Sequence, residues 1–181
     1  MSNNPLVEKI VNEFGLPGSP KSHPISQDMV KEWMGSTDIE VLGVVSSYIL
    51  EKQYIKRIEP HLTFDDVHPF IISYFERCLL ENPDGDWTDS SYEAAWSLVS
   101  WFRYLWSEKE NHMKEIENFK KWLGNLYKNG DERLQDCIVN GTVEHLFEDK
   151  KIKAFFKDWL GDPILNKAYT LAADWSSGDS I

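Results

Sequence analysis

The segment between residues 82 and 93 has spacing that could do chemistry. Counted from Asn82 as position 1, Asp84 falls at 3, Asp86 at 5, Thr88 at 7, Ser90 at 9 and Glu93 at 12. Oxygens at 1, 3 and 5, a backbone carbonyl at 7 and a bidentate Glu at 12 are what an EF-hand loop wraps around Ca2+. Asn82, Asp84, Asp86 and Glu93 are therefore candidate metal ligands, for Ca2+ or a transition metal. Four departures oppose that geometry. Position 6, where the sharp turn needs Gly, holds Trp87; position 1 is Asn, position 2 is Pro83, and position 8, normally apolar, is Asp89. The plainer alternative is a turn between two helices made by Asn82-Pro-Asp-Gly85. It is followed by a capping box, Ser90-x-x-Glu93, whose hydroxyl and carboxylate satisfy orphan backbone donors.

The histidines offer two more constellations. Asp65-x-x-His68 sets a carboxylate and an imidazole one helical turn apart, with His61 four residues before Asp65. Paired Glu-x-x-His motifs on facing helices build di-iron sites, but here one approximate copy straddles Pro60 and Pro69. Glu144-His145-x-x-Glu148 lacks the second His of a zinc-protease helix. A centre assembled from His68, His145 and nearby carboxylates would need several converging ligands, so turn and surface roles are the default for both. No Gly-x-Ser-x-Gly and no phosphate-cradling glycine loop occurs. Cys78 lies in an apolar stripe and Cys137 beside Asp136, an acidic neighbour that disfavours a thiolate. The balance leans away from an enzyme and names no resident cofactor.

Charge points elsewhere. Asp and Glu number 30 against 19 Lys and Arg, a formal net charge of -11. Residues 61–110 hold ten of the acids and three of the bases. Such a field repels phosphate backbones and anionic lipid and attracts basic proteins, which argues against nucleic acid and membrane surfaces as partners. The basic cluster Lys150-Lys151-x-Lys153 with Lys157 is interleaved with Glu148, Asp149 and Asp158, as on a solvated helix face. Asp84, Asp86, Trp87 and Asp89 form the candidate partner-binding set. An aromatic in so acidic a loop reads either as a staple packed on the next helix or as an interface anchor.

The elements that must position these residues are almost all helical. Expected helices span about 4–14, from Ser26 to Met34, from Thr37 or Asp38 to Ile58, and from Thr63–Asp66 to Asn82. The stretch VLGVVSSYI within the third is β-branched enough to leave a strand open. Tyr92, Trp96, Val99, Phe102 and Trp106 on one line, with Ala94, Leu98, Trp101 and Leu105 on another, predict a buried, aromatic-rich central helix over 88–108. Later helices are expected over 112–128, 131–139 (stopped by Asn140-Gly141), 142–148, 150–160 and, capped by Asp162 with Pro163 at the first helical position, to Trp175. Phe119-Lys-Lys-Trp-Leu-Gly echoes as Phe156-Lys-Asp-Trp-Leu-Gly, but without a third copy a solenoid is disfavoured. The expectation is an all-α fold. It takes the form of one multi-helix domain over 1–181 with eight to ten helices, residues 1–36 set off as an N-terminal appendage and 176–181 a frayed tail. At this length one real core can form. No apolar run approaches the ~20 residues that cross a bilayer, the N-terminus lacks the pattern of a signal peptide, and two cysteines suit a reducing cytoplasm.

The stretches NPDGDWTDSSYEAAW and TVEHLFEDKKIKAFFKDWL resemble an uncharacterised family of bacterial all-helical proteins, a domain of unknown function, over most of 38–175. The resemblance implies a helical fold and carries no activity or site. In style the chain is similar to small acidic immunity proteins that neutralise toxins. The functional expectation is a non-catalytic, acidic interaction protein that binds a basic partner. The alternative is a metal-binding protein or metal-dependent enzyme using the 82–93 loop or the His and carboxylate groups.

Overall fold

The computed structural model describes residues 4–16, 18–81 and 90–176. The chain is all-α, with short two-residue strands between helices. It divides into two units, residues 1–90 and 91–181.

In the first unit, helix α1 (Pro5–Phe14) starts where Pro sets the first helical φ and the Asn4 side chain accepts from the Leu6 N–H. It ends at Gly15, whose φ of 96° lets the chain turn back. Strands β1 (Gly15–Leu16) and β2 (Ser19–Pro20) pair antiparallel there, and a Cβ on Gly15 would lie 2.5 Å from the Ser19 carbonyl. Strand β3 (Ile25–Ser26) runs parallel to β4 (Ile58–Glu59). Between them lie α2 (Gln27–Met34), α3 (Ile39–Ile49) and α4 (Lys52–Ile55), and α5 (Phe64–Glu81) follows.

The β-branched run is a helix. Asp38 accepts from the Glu40 N–H at its start, and Val41, Leu42, Val44, Val45, Tyr48 and Ile49 are buried on every side of it. Helix α3 packs on α1, α2 and α5, and burial all round outweighs the modest helix propensity of Val. The expected single helix to Ile58 is corrected. It stops at Ile49, and the chain passes through α4 into β4. Tertiary bonds hold that break. Tyr54 donates its hydroxyl to the Leu16 carbonyl at 2.9 Å, and Tyr48 to that of Gly15 at 2.7 Å. Arg57 donates to the carbonyls of Phe14, Glu13 and His23. Phe14 stacks on Tyr48 at 4.4 Å, with Trp33 and Tyr54 around it.

The second unit opens with α6 (Ser91–Ser107) and α7 (Lys109–Asn129), the latter kinked at His112 and beginning earlier than the expected 112. Helix α8 (Glu132–Ile138) is capped by Asp131. Asn140-Gly141, expected to end it, does not. The chain continues through a π-helical turn (Val139–Val143) directly into α9 (Glu144–Phe147). Gly141 sits against α6, where a Cβ would come 2.6 Å from that of Ala95, and the buried Thr142 hydroxyl donates to the Ala95 carbonyl at 2.9 Å. The glycine thus serves a close approach and not a break. Nearby, Asn140 Oδ1 is buried without a hydrogen-bond partner among the described residues. Helix α10 (Lys150–Phe155), capped by Asp149, a 3-10 turn (Lys157–Gly161) and α11 (Leu165–Ser176), capped by Asp162, complete the unit.

Its core is aromatic. Phe102 of α6 meets Phe119 at 5.1 Å and Phe156 at 5.8 Å, and Phe156 meets Phe147 and Trp159. The echoed hexapeptides take different conformations. The first lies inside α7, while the second starts at the C-cap of α10, Phe156, and forms the 3-10 turn. Residues 177–181 of the expected tail lie outside the described residues.

Helix α5 starts with a reciprocal box. The Thr63 N–H donates to Asp66 Oδ2 at 2.9 Å and the Asp66 N–H to Thr63 Oγ1 at 3.2 Å. Lys31 of α2 adds an ion pair at 2.9 Å. The Lys31 ammonium and the Thr63 donors hold the Asp66 carboxyl at about 2, below its ordinary 3.8. Because the folded value is the lower one, the native state gains stability from this group above pH 3.8 and loses it as pH falls toward 2. Asp66→Asn should lower the melting temperature at pH 7 and flatten its fall between those two pH values, read by thermal melts across pH.

Candidate functional site

The partner-binding candidates Asp84, Asp86, Trp87 and Asp89 lie outside the described residues, as does Asn82 of the metal set. Glu93, the remaining ligand candidate, is exposed on α6. His68 belongs to the first unit, where it stacks on Phe64 at 5.1 Å. His61 there donates from Nδ1 to the Ile58 carbonyl. His145 belongs to the second unit. Among the described residues no group of three or more His, Cys, Asp or Glu side chains could hold a metal. Both cysteines are buried, and burial pushes the Cys137 thiol up.

What the structure does assemble is a groove between α6 and α9, within the second unit. Glu93, Trp96, Ser97 and Ser100 line it from α6, and His145 and Glu148 from α9 and its C-terminal end. Its volume is about 410 Å3. The spacing explains the convergence. Residues 93, 96, 97 and 100 recur three and four apart and so share one side of a helix. The opposite side of α6, Ala94, Ala95, Leu98, Phe102 and Leu105, is fully buried.

The expected aromatic burial of α6 is therefore corrected. Phe102 is core, but Trp96 is 59% and Tyr92 48% exposed. Neither ring is loose. The Trp96 indole meets the His145 ring edge to face at 5.6 Å and 87°, and Tyr92 lies against Gly141, whose added Cβ would be 3.6 Å from Tyr92 Cδ1. Beneath Trp96, a polar triad fixes the floor. Arg103 Nη2 donates to Glu148 Oε2 at 2.8 Å and to the His145 carbonyl at 2.6 Å, while His145 Nδ1 lies 3.1 Å from Glu148 Oε1. Hydrogen bonds from His145 and Arg103 hold the Glu148 carboxyl below the usual carboxylate range, so it stays an anion at neutral pH.

Sequence reasoning singled out His145 and Glu148 but not Arg103, and it placed Tyr92 and Trp96 in the core. A signal was present: Trp96, Ser100 and Arg103 stand at i, i+4 and i+7, a polar line along the helix.

If Trp96 belongs to a working surface and Phe102 to the scaffold, substitutions should separate them. Trp96→Ala should change unfolding free energy by no more than about 0.5 kcal/mol, as at surface sites. Phe102→Ala should cost about 3–5 kcal/mol, as for a buried ring. Chemical denaturation of both variants reads the difference.

No curated protein and no solved structure matches the chain. The family model DUF7674, a domain of unknown function, matches residues 71–171, from within α5 through the groove and into α11. The chain belongs to the DUF7674 family.

Proposed function

We propose that the chain is a non-catalytic interaction protein of the bacterial cytoplasm that docks a basic protein partner, as an immunity-like protein does in neutralising its target. The observation that carries this reading is the pair Tyr92 and Trp96, each about half exposed yet braced from behind, in the most acidic third of the chain. Tyr and Trp are the residues that most often anchor interfaces, since a fixed ring gives large contact area at small entropic cost. Acidic residues around them, with Asp84, Asp86 and Asp89 just upstream in sequence, would steer a cationic partner to the anchors. The absence of a membrane-crossing helix among the described residues agrees with this role without requiring it. The alternative, a metal held by the 82–93 segment, rests on spacing alone.

The test is affinity capture at low salt, identification of the captured protein, and titration of the purified pair by calorimetry. The reading predicts a partner of net positive charge whose affinity falls with salt. It also predicts a fall of about tenfold or more, or 1.4 kcal/mol, with Trp96→Ala, and a comparable loss when Asp84, Asp86 and Asp89 are together replaced by Lys. An acidic or neutral partner, or one bound equally well by both variants, would sink it.

A further inference from the structure

We propose that Asn129 is a site of spontaneous deamidation, a modification that makes the end of α7 acidic, while the fold protects the same dipeptide at Asn140. The sequence holds two Asn-Gly pairs, Asn129-Gly130 and Asn140-Gly141. In such a pair no side chain shields the backbone nitrogen of the glycine. That nitrogen attacks the asparagine Cγ, and the new C–N bond closes a five-membered imide. The Cγ–Nδ2 bond breaks, and ammonia leaves with the former glycine amide proton. Water then opens the imide at either carbonyl, giving an aspartyl or an isoaspartyl residue. Water is the only co-reactant, and nothing is oxidised or reduced.

The dipeptide is the same at both places, so the surroundings decide. Asn129 is exposed and is the last residue of α7, and Gly130 has already left the helix at φ -78° and ψ 154°. One exposed hydrogen bond, from Asn129 Nδ2 to the Asn125 carbonyl at 2.8 Å, holds the side chain, and helix ends open at small cost. Gln135 donates to the carbonyls of Tyr127 and Gly130, which fixes the bend but engages neither reacting group. Shape demands the glycine there, since a Cβ would lie 2.9 Å from both the Leu126 carbonyl and Leu134 Cδ2. The bend between α7 and α8 thus retains a labile pair. Asn140, by contrast, lies inside the π-helical turn with its Oδ1 buried. Gly141 is buried and pressed on Ala95 of α6, so its nitrogen cannot swing toward Cγ without opening that contact. Conversion at Asn129 replaces a donor to the Asn125 carbonyl by a group that only accepts. It also places a negative charge at a helix C-terminus, where the dipole opposes it.

The experiment ages the purified full chain in mildly alkaline buffer and follows both pairs by peptide mass analysis. A sample held unfolded in guanidinium chloride is aged alongside. In the native chain Asn129 should convert at least about tenfold faster than Asn140, a difference of about 1.4 kcal/mol in the cost of opening. In the unfolded chain the two rates should converge. Equal native rates, a faster Asn140, or an Asn129 that stays intact while the unfolded chain converts would overturn the assignment. A ratio as large in the unfolded chain as in the native one would overturn protection by the fold. Asn129→Asp supplies the aspartyl product in uniform form and should melt about 1–4 °C below the parent protein. A melting temperature equal to or above that of the parent would overturn the effect on α7.

Discussion

The second unit depends on one close approach. Gly141 lets the π-helical turn press on α6 at Ala95, where any larger residue would overlap, and Thr142 closes the contact by donating to the Ala95 carbonyl. Everything at the groove is spaced from there. His145 and Glu148 follow Gly141 by four and seven residues, so all three share one side of the helical path. They meet α6 in step: Gly141 at Tyr92 and Ala95, His145 at Trp96, and Glu148 at Arg103. The backbone contact thus sets the height at which His145 braces the indole and Glu148 meets the guanidinium. A π turn adds a residue to the helical circuit and is often found where function demands a local offset.

The same helix divides two kinds of work. The inner face of α6, small near Ala94 and Ala95 and large at Phe102, fills an aromatic core whose burial stabilises the unit. Its outer face adds little to stability. The ion pair of Arg103 and Glu148 is roughly half exposed, and such pairs contribute about 0–1 kcal/mol. Its role is to fix geometry, keeping a carboxylate ionised and an imidazole oriented beside an exposed ring. The first unit is held by other means. Arg57, Tyr48 and Tyr54 donate to the carbonyls of Glu13, Gly15 and Leu16, where α1 ends and β1 begins.

What could be read in the sequence was what local chemistry decides. Asp38 and Asp162 cap the helices they were expected to cap, Ser26 precedes α2, and Gly15 follows α1. The structure departs from the local pattern where a distant partner decides. Asn140-Gly141 has the composition of a stop, yet the chain stays helical because α6 lies against it. The segment from 38 to 58 has a helical pattern throughout, yet Arg57 and Tyr54 draw its second half toward the hairpin of β1 and β2. Tyr92 and Trp96 look like core by type, and only the buried stripe Ala94, Ala95, Leu98 and Phe102 reveals that they face outward. The groove itself joins residues some fifty positions apart, a distance across which periodicity carries no information. The acidic segment around Asp84 and Asp86 was legible as charge, and its function is argued from that charge alone.

The most direct test of the close approach compares two glycines. Gly141→Ala should lower the unfolding free energy by about 1–3 kcal/mol, as overpacking does, because its Cβ has no room beside Ala95. Gly161→Ala is the matched control, since nothing lies within 4 Å of the Cβ it would add. It should leave stability unchanged or slightly raised. Denaturant unfolding of the two variants beside the parent protein decides the matter. A large loss confined to Gly141→Ala is the predicted result, and equal, near-neutral behaviour of both variants would contradict it.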